Sequence, residues 1–126
     1  MWLFTKYGFI SAVTETESGE TGRMKVRARA KCHLQNILIE YGFEWWVTKI
    51  ECTPLADYAF RVILPREVFV MLVQQIAGEV DYFNFKDECH LEMPRDVGYQ
   101  WWLSRIWSDG AKYQYNCAPD ARNGSS

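Results

Sequence analysis

The segment from Arg23 to Ala30 constrains this chain more than any other, because it alternates strictly. Arg23, Lys25, Arg27 and Arg29 fall on one side, and Met24, Val26, Ala28 and Ala30 on the other. A period of two marks a β-strand, whose successive side chains point to opposite faces of a sheet. One face of this strand is basic and the other apolar, so it lies between a core and a polar surface. Like charges spaced about 7 Å apart along a strand repel one another, and solvent, acidic neighbours or an anionic ligand must offset them. Glu15, Glu17, Glu20 and Glu51 are the acidic candidates.

The flanking sequence supplies partners for this strand. Trp2 to Thr14 is rich in aromatic and β-branched residues and Glu15 to Gly22 is a polar, glycine-containing turn, which together read as a hairpin ending in the basic strand. From Lys31 the spacing turns helical: Leu34, Ile37, Leu38 and Tyr41 form one stripe, and Gly42 stands where a C-terminal cap is needed. Glu44 to Cys52 reads as a third strand, Thr53-Pro54 with Ala56-Asp57 as a turn, and Tyr58 to Leu64 as a fourth strand with Phe60, Val62 and Leu64 on one side. Pro65 suits the first turn of a second helix, continued by Val68, Phe69, Leu72, Val73, Ile76 and Val80.

The order ββα, twice over, predicts an α+β fold: a four-stranded antiparallel sheet with helices on one face, in ferredoxin-like layering. A charged connection containing Pro94 then leads to a short aromatic helix over Tyr99 to Trp107. Residues 1–108 are expected to form a single α+β domain and residues 109–126 a C-terminal tail whose last residues are disordered.

At 126 residues the chain buries enough surface to need no metal or disulfide. Its net charge of −2 argues against binding nucleic acid or anionic membrane through an overall field, so any such contact must be local. No apolar run is long enough to cross a bilayer, and Lys6 and Gly8 interrupt what would be a signal core, so the expectation is a cytoplasmic protein with no membrane partner. Cys32, Cys52, Cys89 and Cys117 show no paired spacing and read as reduced, mostly buried thiols, with neither metal nor cofactor expected.

The opening Met1-Trp2-Leu3-Phe4-Thr5-Lys6-Tyr7-Gly8-Phe9 is similar to that of an uncharacterised family of small bacterial proteins. The likeness continues through Val26-Arg27-Ala28-Arg29, Asp57-Tyr58, Arg61, Val62 to Arg66 and Asp81-Tyr82 with Asn84-Phe85-Lys86, and ends near Ile106-Trp107-Ser108. The family has no assigned activity, so the resemblance implies a coherent domain and nothing about chemistry. The cysteines, the connection from Cys89 to Val97 and the segment after Ser108 depart from its pattern.

The residues that stand out suit binding. Arg23, Lys25, Arg27, Arg29 and Arg61 form a basic sheet face, with Lys49 extending it. The doublets Trp45-Trp46 and Trp101-Trp102 cannot send both rings into one core, so Trp45 and Trp101 are candidates for a protein interface. The Asp57-Tyr58 and Asp81-Tyr82 pairs read as structural turn residues. No catalytic motif is present, and the two histidines, His33 and His90, sit in unrelated segments, so no enzyme is expected.

The first expectation is a non-enzymatic protein that engages a macromolecular partner through the basic face and exposed tryptophans, as a phage or mobile-element inhibitor of a host nuclease or defence complex would, in the manner of anti-CRISPR proteins. The alternative is a nucleic-acid-binding regulator whose basic strand contacts phosphates. A homodimer paired through its tryptophans is a third reading.

Overall fold

A computed structural model describes residues 1–117, which gather into two compact units, Met1–Phe85 and a second that begins at Lys86. The first unit is an α+β layer structure built on five antiparallel strands: β1 (Trp2–Thr5), β2 (Gly8–Thr14), β3 (Arg23–Ala28), β4 (Glu51–Cys52) and β5 (Phe60–Pro65), in the order β1-β2-β3-β5-β4. The alternating segment is the middle strand. Its apolar residues pair across the sheet with their like: Val26 faces Ala12 on β2 and Val62 on β5, and Met24 faces Leu64. Helices α1 (Lys31–Glu40) and α2 (Arg66–Gly78) cover that side, burying Leu34, Ile37, Leu38, Phe69 and Leu72 against Ile10, Val26, Val62 and Leu64.

The structure has one more strand than the sequence suggests, because Trp2–Thr14 folds back on itself at Lys6-Tyr7. Thr5 makes this turn possible: its Oγ1 donates to the Gly8 carbonyl at 2.8 Å and accepts the Tyr7 N–H at 3.1 Å. Gly8 has φ +134°, and a Cβ there would lie 2.4 Å from the His33 ring. His33 is buried on α1, and its Nδ1 accepts the Phe9 N–H at 3.3 Å. The absent side chain at Gly8 is what lets α1 lie this close to β2.

The third expected strand, Glu44 to Cys52, is instead a 3-10 helix over Glu44–Lys49 followed by the two-residue β4. Phe43, Trp46, Val47 and Ile50 are spaced i, i+3, i+4 and i+7, and all four pack on the core cluster. A strand would have turned Trp46 and Val47 to opposite faces; the helical turn sends both inward. Lys49 therefore does not extend the basic strand face. The expected cap of α1 is present: Phe43 N–H donates to Leu38 O at 2.7 Å and Gly42 N–H to Ile39 O at 3.3 Å, with Gly42 at φ +85°, a Schellman ending.

In the second unit, α3 (Phe85–Glu92) is followed by α4 (Val97–Cys117). Asp96 caps α4 by accepting the Tyr99 N–H at Oδ1, 3.0 Å away. Cys89, Met93, Tyr99 and Leu103 are buried. The aromatic helix expected over Tyr99 to Trp107 thus runs well past position 108, because scarcity of aliphatic residues does not end a helix and no proline intervenes before Pro119. The last residues of the expected tail, 118–126, lie outside the described residues.

The cysteines differ from expectation. Only Cys89 is buried, whereas Cys32, Cys52 and Cys117 are exposed. Cys52 sits on a two-residue edge strand and Cys32 in the first turn of α1, places that give a thiol little cover. Burial pushes the Cys89 thiol up to about 12.

Two outcomes follow from these placements. Gly8→Ala combines backbone strain with a clash against His33 and should cost at least about 2 kcal/mol, read as a lower urea midpoint. At pH 8, iodoacetamide with mass-spectrometric mapping should modify Cys32, Cys52 and Cys117 and leave Cys89 unmodified.

Candidate functional site

The sheet face turned away from α1 and α2 carries the basic residues. Strand register places Trp2, Ser11, Arg27, Arg61 and Glu51 in one row across all five strands, with Val13, Lys25 and Ile63 beside it. Arg27 and Arg61 are direct cross-strand neighbours, with Cβ atoms about 5 Å apart. Arg61, from the other hairpin, does join the basic strand.

These cations are not equivalent. Arg23 Nε donates to Glu15 at 2.8 Å, an ion pair at the edge of the face. That bond, with the positive field of Arg23 and Lys25, holds the Glu15 carboxyl below its ordinary value. Arg29 donates to the Asp57 carbonyl at 2.9 Å, and its guanidinium carbon lies 4.5 Å from the centre of the Tyr58 ring. Arg27 lies 4.4 Å from the same ring and donates through Nη2 to Ser11 Oγ at 2.9 Å. Tyr58 is itself buried, near Phe9, which in turn packs on Trp2 and Phe4. Half of the face is thus a built-in stack of rings and guanidinium groups.

The other half centres on Arg61. Among the described residues, the buried Nε atoms of Arg27 and Arg61 both lack a hydrogen-bond partner, although Glu51 stands opposite Arg61 in the register. A buried donor left unpaired costs about 1–3 kcal/mol, and like charges directly opposite add to that. For Arg27 the Ser11 bond and the Tyr58 ring offset the cost, each by about 1–2 kcal/mol. Arg61 has neither.

The tryptophan doublets behave as their spacing requires. Trp45 is 61% exposed, while Trp46 is half-buried and meets it edge-on at 4.8 Å. In the second unit Trp101 is 65% exposed, while Trp102 is half-buried with its ring 6.5 Å from Tyr99. Lys49 Nζ lies 5.2 Å from the Trp45 ring centre, and the Arg105 guanidinium 5.8 Å from that of Trp101. Two further exposed indoles escaped the sequence reading: Trp2, on the outer face of edge strand β1, and Trp107, whose ring has Lys86 4.9 Å away. For Trp107 the available signal was Lys86 and the helix extending beyond it.

Two clefts hold polar groups. In the first unit a cavity of about 230 Å³ is lined by Leu3, Tyr41, Val73, Ile76, Glu79 and Tyr82. Burial, together with the Glu79 carboxylate that its hydroxyl bonds, raises the Tyr41 phenol above its ordinary value. In the second unit a hollow of about 260 Å³ is lined by Lys86, Asp87, His90, Gln100, Leu103 and Ser104. Gln100 donates its amide N–H to Met93 O at 2.9 Å, so its Oε1 accepts from His90 Nδ1 at 2.8 Å, and the ring is oriented by that bond. His33, by contrast, is a core fixture.

Comparison of the chain with family models, with curated proteins and with solved structures gives no match.

The Glu15 assignment is directly measurable. Its lowered value means the Arg23 bond favours the fold above the ordinary carboxylate range and is lost as pH falls through the folded-state value. In Arg23→Ala the side-chain carboxyl carbon of Glu15 should titrate closer to the ordinary value than in wild type.

Proposed function

We propose that the protein is a non-enzymatic binding module that engages a protein partner bearing acidic groups, with Trp45 and Trp101 as anchors. The observation that carries this reading is the pairing of three exposed indoles with a cation, Lys49 at Trp45, Arg105 at Trp101 and Lys86 at Trp107, whereas the exposed Trp2 packs on Phe9 instead. Exposed tryptophan is unfavourable without a role, and Trp and Arg are the side chains most enriched at binding hot spots. A partner that covers such a ring desolvates the cation as well, so it gains most when it brings a carboxylate.

A nucleic-acid regulator that uses the basic strand as a base-stacking platform has less support. Of the rings on that face, Phe9 and Tyr58 are buried beneath their neighbours, and the exposed Trp2 stands on the edge strand with its ring against Phe9, so the basic strand itself carries no open ring beside it on which successive bases can stack.

The test is a photo-crosslinking search with a reactive amino acid at Thr48, which is exposed beside Trp45, followed by calorimetry on the captured protein. Trp45→Ala or Trp101→Ala should weaken that complex at least about tenfold with the fold unchanged by circular dichroism. Full affinity in the double variant would contradict the reading.

A further inference from the structure

The 230 Å³ cleft of the first unit has a charge character that neither the basic face nor the exposed tryptophans share. Apolar side chains of β1 and α2 form its walls, Phe4, Tyr41 and Tyr82 contribute rings, and Glu79 contributes a carboxylate. We infer that this cleft binds a small quaternary ammonium ion, of the size and chemistry of choline.

The groups that would meet the charge are gathered around Tyr41. Its hydroxyl donates to the Glu79 carboxylate, and burial is the main cause of its raised phenol. Glu79, Tyr7 and Tyr82 add to that effect, so all three lie within electrostatic reach of the Tyr41 oxygen. Two helices also end here: Tyr41 caps α1 and Glu79 caps α2, and neither helix has a basic residue in its last turn. A helix C-terminus carries partial negative charge. The carboxylate, the rings and both helix ends therefore select the same sign of ligand. Among the described residues that line the cleft Lys6 is the one cation, and its ammonium stands 5.4 Å from the centre of the Tyr7 ring, which is not part of the lining.

The apolar walls decide what kind of cation fits. A primary ammonium carries three N–H donors, each of which needs an acceptor once it leaves water. Acceptors are scarce in the cleft: the Glu79 carboxylate already takes the Tyr41 bond, and Thr5 Oγ1 is committed to the Gly8 carbonyl and the Tyr7 N–H. Methyl groups on the nitrogen ask for no hydrogen bond, spread the charge and pack on rings and aliphatic side chains alike. At 230 Å³ the cleft falls below the range of about 300–1,000 Å³ that suits drug-sized ligands, which sets its occupant at the size of choline rather than of a nucleoside or a lipid.

The test is titration of the whole chain with choline chloride at constant ionic strength, read in ¹³C–¹H spectra of the tyrosine rings. Expected are saturable shifts at Tyr41 and Tyr82, with half-saturation in the millimolar range, as suits a ligand of so few atoms. The neutral alcohol in which carbon replaces the nitrogen of choline, and the primary amine ethanolamine, should each bind at least about tenfold more weakly. Glu79→Gln keeps the shape of the side chain and removes its charge. It should weaken choline by about tenfold and leave the neutral alcohol unchanged.

Absence of saturable shifts at the two rings would overturn the site. Equal binding of the neutral alcohol would overturn recognition of charge, and equal or tighter binding of ethanolamine would overturn the quaternary preference. Undiminished choline binding in Glu79→Gln would remove the carboxylate from the site. The ligand comparisons are made on the wild-type chain, so they decide the matter even where a variant is unstable. Trp45 and Trp101 variants should bind choline as wild type does, so failure here and failure of the protein-partner reading are separate results.

Discussion

Tyr58 under the guanidinium groups of Arg27 and Arg29 is the contact on which the outer sheet face of the first unit depends. It comes from the connection between β4 and β5, yet it lies against the middle strand and reaches the Phe9 ring on β2. One side chain therefore ties both hairpins together on the face turned away from α1 and α2. It also turns what would be a row of mutually repelling charges into a packed layer, because each cation near a ring gains attraction while its hydrocarbon stem covers apolar surface. The opposite face is an ordinary core, in which Val26 between Ala12 and Val62 is buried under α1 and α2. β3 is thus committed on both sides, which is why its alternation is so strict.

That commitment is incomplete at one point. Arg23, Arg27 and Arg29 each have a protein partner, whereas Arg61 is placed by its strand among groups that do not satisfy its Nε. Side chains kept at a cost within an otherwise satisfied surface mark places where function competes with stability. The exposed indoles of Trp45 and Trp101 are a similar case in hydrophobic rather than electrostatic terms.

Much of the first unit was legible because its periods are clean. The basic strand, the α1 stripe with its glycine cap and the β5–α2 junction at Pro65 all follow from spacing and turn chemistry. The 3-10 helix was missed because Phe43, Trp46, Val47 and Ile50 have helical spacing within a segment whose tryptophan and valine content suggests a strand. The turn at Lys6-Tyr7 has no glycine or proline inside it and depends on Thr5 bonding back to its own backbone, which composition does not reveal. Register made the site visible: sequence placed Arg27 and Arg61 on outward faces, but only pairing of β3 with β5 makes them neighbours. The burial of Tyr58, which decides how much of the basic face stays open, is a tertiary fact with no local signature.

Hydrogen exchange of the arginine Nε–H groups is the most direct measurement of this division of the face. Arg27 and Arg61, with buried Nε atoms, should exchange markedly more slowly than the exposed Arg66 and Arg105, and Tyr58→Ala should speed Arg27 more than Arg61. Exchange at Arg27 and Arg61 as fast as at Arg66 and Arg105 would mean that the outer face is an open, solvated row of cations, and that neither the Tyr58 layer nor the unsatisfied pair beside it exists.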